Sequence, residues 1–241
     1  MNSSFSITLN EKNHYVQIHK QDTHFKIYLT LISFTSPLNS FGNTITWIAG
    51  NVGDWNDATN WSGGSVPTIS DDVIIPSGSI SFSVNTTINS LIVGNADGSS
   101  ILATLNGNYN SLYVTTNASL SNCKLITFLN LGVNGDLAFT NGEIHSLIQT
   151  NNFNFNAGAI FGTLVVSNTI NWTSGTLTKV NTNFKNTDET TLRRVPVSSV
   201  SGQLNLIGSG DKKIFDQPFY LYGGVNWLDG KIIIGGGEPN I

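Results

Sequence analysis

Five stretches of this chain follow one pattern: apolar, any, aromatic, any, any, Gly, any, apolar. They are "ITWIAGNV" from Ile45, "LAFTNGEI" from Leu137, "FNFNAGAI" from Phe153, "INWTSGTL" from Ile170 and "VNWLDGKI" from Val225. The three central copies begin 16 and 17 residues apart (153 − 137 and 170 − 153), and the last begins 55 residues further on (225 − 170), close to three such periods. "LYVTTNASL" from Leu112 and "LNLIGSG" from Leu204 are weaker relatives. Within each copy, period-two alternation marks a strand buried on one side, Gly permits a positive φ at a corner, and a second short strand follows. One copy is too short to bury its own apolar side. Stacked copies bury a continuous ladder of Leu, Ile, Val and Phe, with Asn, Ser and Thr at the corners. The pattern predicts an all-β chain forming a parallel β-helix, right-handed as parallel crossovers are, over residues 84–241. A β-sandwich or meander is the alternative. A near-constant period without an Asn-Gly hairpin turn at every corner favours the solenoid.

Composition points the same way. Of 241 residues, 31 are Asn, 26 Ser, 25 Thr and 24 Gly, residue types that favour turns, caps and strands over helix interiors. Hydrophobic residues make up 39% and aromatics 10%, too much apolar character for a disordered polar tract. The net charge of −4, with only 11% charged residues, argues against a basic surface for nucleic acid or anionic lipid. Cys123 is the single cysteine, so no intrachain disulfide can form, and its strand-start setting reads as a buried, inert thiol.

Residues 1–42 read as a leader. Lys26 precedes the apolar run Ile27–Phe34, and Ser40 and Gly42 stand at −3 and −1 of a signal-peptidase site, so residues 27–42 have the anatomy of a secretory signal. The polar stretch ahead of the run is long for such a signal, which also fits a misassigned start, and an edge strand over 27–34 is the alternative. The run is too short to span a bilayer as a helix. Five Asn-X-Ser/Thr sequons, at Asn2, Asn60, Asn85, Asn117 and Asn171, match what chance gives at this Asn, Ser and Thr content.

Residues 43–83 hold the densest tryptophan cluster. In "WIAGNVGDWNDATNWSGGSVPTISDDVIIPSG", Trp47, Trp55 and Trp61 are followed by the chain's only adjacent aspartates, Asp71 and Asp72. Tryptophans bury large apolar area over the open end of a solenoid, and Pro67 cannot continue a ladder, so the segment reads as an N-terminal β cap. Trp47, Trp55, Asn60, Trp61, Gly64, Pro67, Asp71, Asp72, Val73, Ile75 and Gly78 resemble the opening of β-helical modules in large secreted surface proteins of bacteria and amoebae. The same order is similar to the eight-glycine domain of eukaryotic cell-surface and matrix proteins. The resemblance implies an extracellular or cell-surface, adhesive or matrix-associated role, and no catalytic residue transfers with it.

Two sharper readings of this segment compete with the cap. Trp55 and Trp61 could stack on sugar rings while Asn56, Asp57 and Asn60 read hydroxyls, making a carbohydrate-binding module. Alternatively Asp54, Asp57, Asp71 and Asp72 could supply oxygen ligands for Ca²⁺, the one cofactor the sequence suggests, although no EF-hand spacing is present. Enzymatic signals are thin. "NTD" at Asn186–Asp188 resembles the first acidic motif of polygalacturonases, but no adjacent aspartates and no histidine follow it. His145 is the only imidazole after residue 24, so neither a Ser-His-Asp triad nor a zinc cluster is supported. A fragment of a polysaccharide-active β-helix enzyme is the remaining alternative. The charged stretch with Lys185, Asp188, Glu189, Arg193 and Arg194 reads as an insertion protruding from one coil, and the strong coil so near residue 241 suggests part of a longer repeat array. The expected partners are glycans or extracellular matrix and cell-surface proteins.

Overall fold

The computed structural model describes residues 42–94, 103–178, 198–215 and 219–235, together with two N-terminal strands. The chain divides into two compact units, Met1–Asn39 and Ser40–Ile241. In the first, Ser6–Asn10 pairs antiparallel with Tyr15–His19. The apolar run and cleavage site expected within 27–42 lie outside the described residues up to Phe41.

The second unit is a parallel β-solenoid with three faces; each coil from Thr86 onward contributes strands to all three, and the two coils before it to two of them. One coil runs from Asn130 to Ile144. Its residues 130–133 lie on the first face and 136–139 on the second, within the single strand Asn130–Phe139, and Gly142–Ile144 lies on the third. The next coil stacks directly on it, with Leu131 against Ile148, Leu137 against Phe153 and Glu143 against Ala159. Where the first face passes into the second, the register shifts between Val133 and Asp136, and again between Thr150 and Asn152. These bulges bend the strand without ending it.

Alternation explains the core. Phe139, Phe155 and Trp172 point inward from the second face, Ile144, Ile160 and Leu177 from the third, and Leu131, Ile148 and Leu164 from the first, and all are buried. Side chains of one type stack into columns. Ring centroids lie 5.8 Å apart for Phe139 and Phe155 and 5.4 Å for Phe155 and Trp172, with interplanar angles of 17° and 26°. The recurring Gly is the corner between second and third faces: Gly142, Gly158 and Gly175 have φ of +116°, +103° and +114°. Gly158 and Gly175 also stack on each other's backbone. A Cβ on Gly175 would come 2.8 Å from the Gly158 carbonyl oxygen, so the corner demands glycine for space as well as φ.

The solenoid begins earlier than the sequence pattern suggests. Thr44–Thr46 and Val52–Asp54 already pair in parallel with Asp72–Ile75 and Gly78–Ser81, so coils run through residues 43–83 as well. The spacing between the last two pattern copies also needs correction. Ile170 stacks on Leu204 and Leu204 on Val225, which makes two coils of 34 (204 − 170) and 21 (225 − 204) residues instead of three periods. The 34-residue coil includes residues 179–197, which hold the charged stretch and "NTD" and lie outside the described residues. In the last described coil, Val225 and Trp227 are 50% and 56% exposed, whereas Leu204 and Leu206 beneath them are buried.

Candidate functional site

The tryptophan segment caps the solenoid from inside. The chain turns back after Val52–Asp54, makes one 3₁₀ turn over Ala58–Asn60, and crosses the free edge of Thr44–Thr46. Trp61 bridges Trp47 antiparallel, Ile48 N–H donates to Asn60 O at 2.9 Å, and Ser62 N–H donates to Thr46 O at 2.9 Å. This pairing removes an open edge that would otherwise template association. Trp55 and Trp61 are each 1% exposed. Trp61 meets Trp47 and Trp55 edge to face at 5.0 and 4.6 Å, and Trp55 stacks on Phe82 at 4.6 Å. The Trp61 indole N–H donates to Trp55 O at 2.7 Å.

These contacts correct the sugar-platform reading, because neither ring has a face open to a ligand. The polar residues assigned to hydroxyl reading serve the cap as well. Asp57 N-caps the 3₁₀ turn through Thr59 N–H and Oγ1, which hold its carboxyl below the usual range. Asn60 Nδ2 donates to Asp54 O, and Asn56 Nδ2 donates to Ser83 Oγ.

The aspartates do not converge on a cation either. Asp71 is 7% exposed and accepts from Asn43 N–H, Thr68 N–H and Thr68 Oγ1 at 3.1, 2.8 and 2.7 Å. Asp72, on the strand after it, accepts from Asn89 Nδ2 and Ser90 Oγ. Asp54 accepts from Asn56 N–H and Ser81 Oγ. Among the described residues, no three His, Cys, Asp or Glu side chains gather around one point, so the Ca²⁺ assignment to Asp71 and Asp72 has no ligand set behind it.

Asp71 gives a pH-dependent prediction. Burial opposes its charge, but hydrogen bonds from the Thr68 side chain, the Thr68 N–H and the Asn43 N–H outweigh burial and hold its pKa below the usual carboxylate range. A lowered folded pKa contributes stability above the unfolded value, and that stability is lost as pH falls through the folded value. Asp71→Asn turns an amide toward donors and is expected to cost about 1–3 kcal/mol at pH 7. The gap from the parent should shrink toward pH 3 in thermal melts; an equal gap at both pH values would show that the carboxylate charge is not what the cap uses.

Three other reactive groups are tied into structure. Cys123 is fully buried and its pKa is pushed up to about 12 by burial, so the thiol is inert as expected. On the outer third face, Glu143 sits between Lys124 Nζ at 3.1 Å and His145 Nε2 at 3.3 Å, and the His145 ring stacks on Phe161 at 4.4 Å. Lys212, which the sequence does not single out, is fully buried. Its ammonium donates to the carbonyls of Gly208, Gly210 and Asp229 at 2.6, 2.9 and 3.3 Å, using all three of its hydrogens at a coil corner.

The outer surface divides by face. The second face carries an amide ladder in which Asn171 Nδ2 donates to Asn154 Oδ1, and Asn205 Nδ2 to Asn171 Oδ1, both at 2.8 Å. Beside it Asn152 Nδ2 donates to Asp136 Oδ1 at 2.7 Å. The third face carries Lys124, Glu143, Asp211, Lys213 and Lys231. On the first face, Tyr113 points outward and is 42% exposed, a residue that sequence reasoning passed over. Comparison with models of known families, with curated proteins and with solved structures finds no match to this chain.

Proposed function

We propose that this chain is a non-enzymatic β-solenoid of the cell surface or extracellular matrix, an adhesive or structural module that presents a polar Asn, Ser and Thr face to glycans or matrix proteins. The observation that carries this reading is the amide ladder through Asn154, Asn171 and Asn205. Asn171, the middle rung, spends one N–H and one lone pair on its neighbours and keeps the others for an outside partner. The ladder also holds those groups in a fixed row at the spacing of paired strands. Reactive side chains elsewhere among the described residues work as structural members: Asp71 in the cap, Lys212 at a corner and Glu143 in a surface ion pair. The tryptophan-rich opening supports the same reading through its resemblance to secreted surface modules.

The test uses the full chain expressed through a secretory host. The secreted protein is mixed with insoluble polysaccharides and with immobilised matrix proteins, and both retention and new reducing ends are measured. Retention without cleavage is the expected result. New reducing ends or unsaturated sugar products would replace this reading with that of a polysaccharide-active enzyme, and no retention on any surface would remove it.

A further inference from the structure

Along the first face, one outward residue from each coil lines up without a break. Thr87 pairs with Tyr113, Tyr113 with Gly132, Gly132 with Gln149, Gln149 with Val165, Val165 with Ser199, and Ser199 with Tyr220. The strand segments carrying them read TTI, SLYV, NLGV, LIQT, LVV, SSV and FYL, and none contains a charged residue. The other two faces carry Asp72 and Asp136, and Lys124, Glu143, Asp211, Lys213 and Lys231. Neutrality therefore belongs to this face and not to the whole surface.

One edge of the Tyr113 ring packs against Gly132 of the next coil. A Cβ on Gly132 would come 2.7 Å from Tyr113 Cδ1 and 3.1 Å from Cε1, so only glycine leaves room for that edge of the ring. Hydrogen bonds with the Asn130 and Ser111 side chains tether the hydroxyl and hold its pKa below the usual tyrosine value. At 42% exposure, the rest of the ring keeps part of its surface in solvent. Asn130, 7% exposed, also donates from Nδ2 to Gln149 Oε1 at 3.1 Å, and its buried Oδ1 has no partner. An unpaired buried acceptor is costly and calls for a donor. Five ladder steps further along the axis, about 24 Å at the spacing of paired strands, Tyr220 is 49% exposed and stacks beside Tyr222 at 6.5 Å.

We propose that this column, from Tyr113 through Gln149 and Ser199 to Tyr220, binds an uncharged oligosaccharide chain laid along the solenoid axis. A partly exposed aromatic ring matches the C–H surface of a pyranose, and amides and a hydroxyl beside it match ring hydroxyls. Absence of charge disfavours acidic polysaccharides. A surface that repeats at strand spacing suits a ligand that also repeats, and the distance between the two tyrosines calls for a chain instead of a single sugar. This rests on the glycan-facing reading above and names the face, the residues and the ligand class.

The test titrates the full chain with cello-, xylo-, manno- and chito-hexaose, using polygalacturonate and heparin as charged comparators. Parent protein should bind at least one neutral hexaose, and Tyr113→Ala should weaken that binding about tenfold or more, the effect of losing one stacked ring. Tyr113→Phe, which keeps the ring, should retain binding. Where Tyr113→Ala does not fold, Tyr220→Ala gives the same readout from a half-exposed position in the last described coil. No binding of any neutral hexaose by the parent, or unchanged binding in both alanine variants, overturns the proposal. Binding of the charged glycans alone overturns it while leaving the adhesive reading in place. Cleavage of a bound hexaose would overturn the non-enzymatic reading and leave the site standing if the tyrosine variants still lose affinity.

Discussion

Trp61→Ala is expected to destabilise the solenoid by about 3–5 kcal/mol, and Trp55→Ala by a similar amount. Trp61 is 1% exposed, lies edge-on to two other indoles, and donates its own N–H to Trp55 O. Truncation removes one of the three indoles over the first coil, leaves a cavity between Trp47 and Trp55, and orphans a carbonyl. The backbone crossing at residues 60–62 also loses the anchor that holds it over the edge of Thr44–Thr46. Urea unfolding of parent and variants measures the loss. Because both rings are sealed inside, any glycan affinity should survive in the folded fraction. A variant with unchanged midpoint and lost glycan binding would instead restore the indoles as a sugar platform.

Gly142→Ala is expected to cost about 3 kcal/mol or more, from two sources that add at one atom. The residue sits at φ +116°, a conformation that L side chains rarely adopt, and an added methyl would land within the van der Waals sphere of the Cys123 carbonyl oxygen. That oxygen belongs to the backbone of the coil beneath and cannot swing aside without opening the ladder. Gly63→Ala is the control: its nearest neighbour would be Ser65 Oγ at 3.6 Å, so its melting temperature should stay near the parent's. Equal effects at the two positions would mean that the corner is looser than the stacking implies.

The solenoid was readable because its physics is local and repeated. Alternation in "FNFNAGAI" places Phe153 and Phe155 inward, and Gly158 marks the corner, with no knowledge of any other coil. The length of each coil was less readable. Ile170 and Val225 look three periods apart, yet Leu204 lies directly between them, because one coil is 34 residues long (204 − 170), a length no local pattern records. The cap was half readable: the sequence places three indoles together, but an indole looks the same whether its face covers a core or a sugar. Only the crossing of residues 60–62 over the first strand settles that the Trp55 and Trp61 rings are inside. Tyr113 was hidden for the opposite reason. In "SLYV" it is an ordinary outward strand residue, and the room for its ring depends on Gly132 one coil later, a neighbour that appears only once register is known.

That register can be measured by the distance between spin labels at Ile92→Cys and Asn226→Cys. Both positions are exposed on the second face and are linked by six ladder steps through Ser119, Ala138, Asn154, Asn171 and Asn205. The native thiol, Cys123, is fully buried and stays unlabelled in the folded protein. Stacked parallel coils predict a single narrow distance near 29 Å, about 4.8 Å per step. A meander would insert an antiparallel strand between successive copies and roughly double that distance; a distribution centred there would be incompatible with the solenoid and with the outward columns built on it.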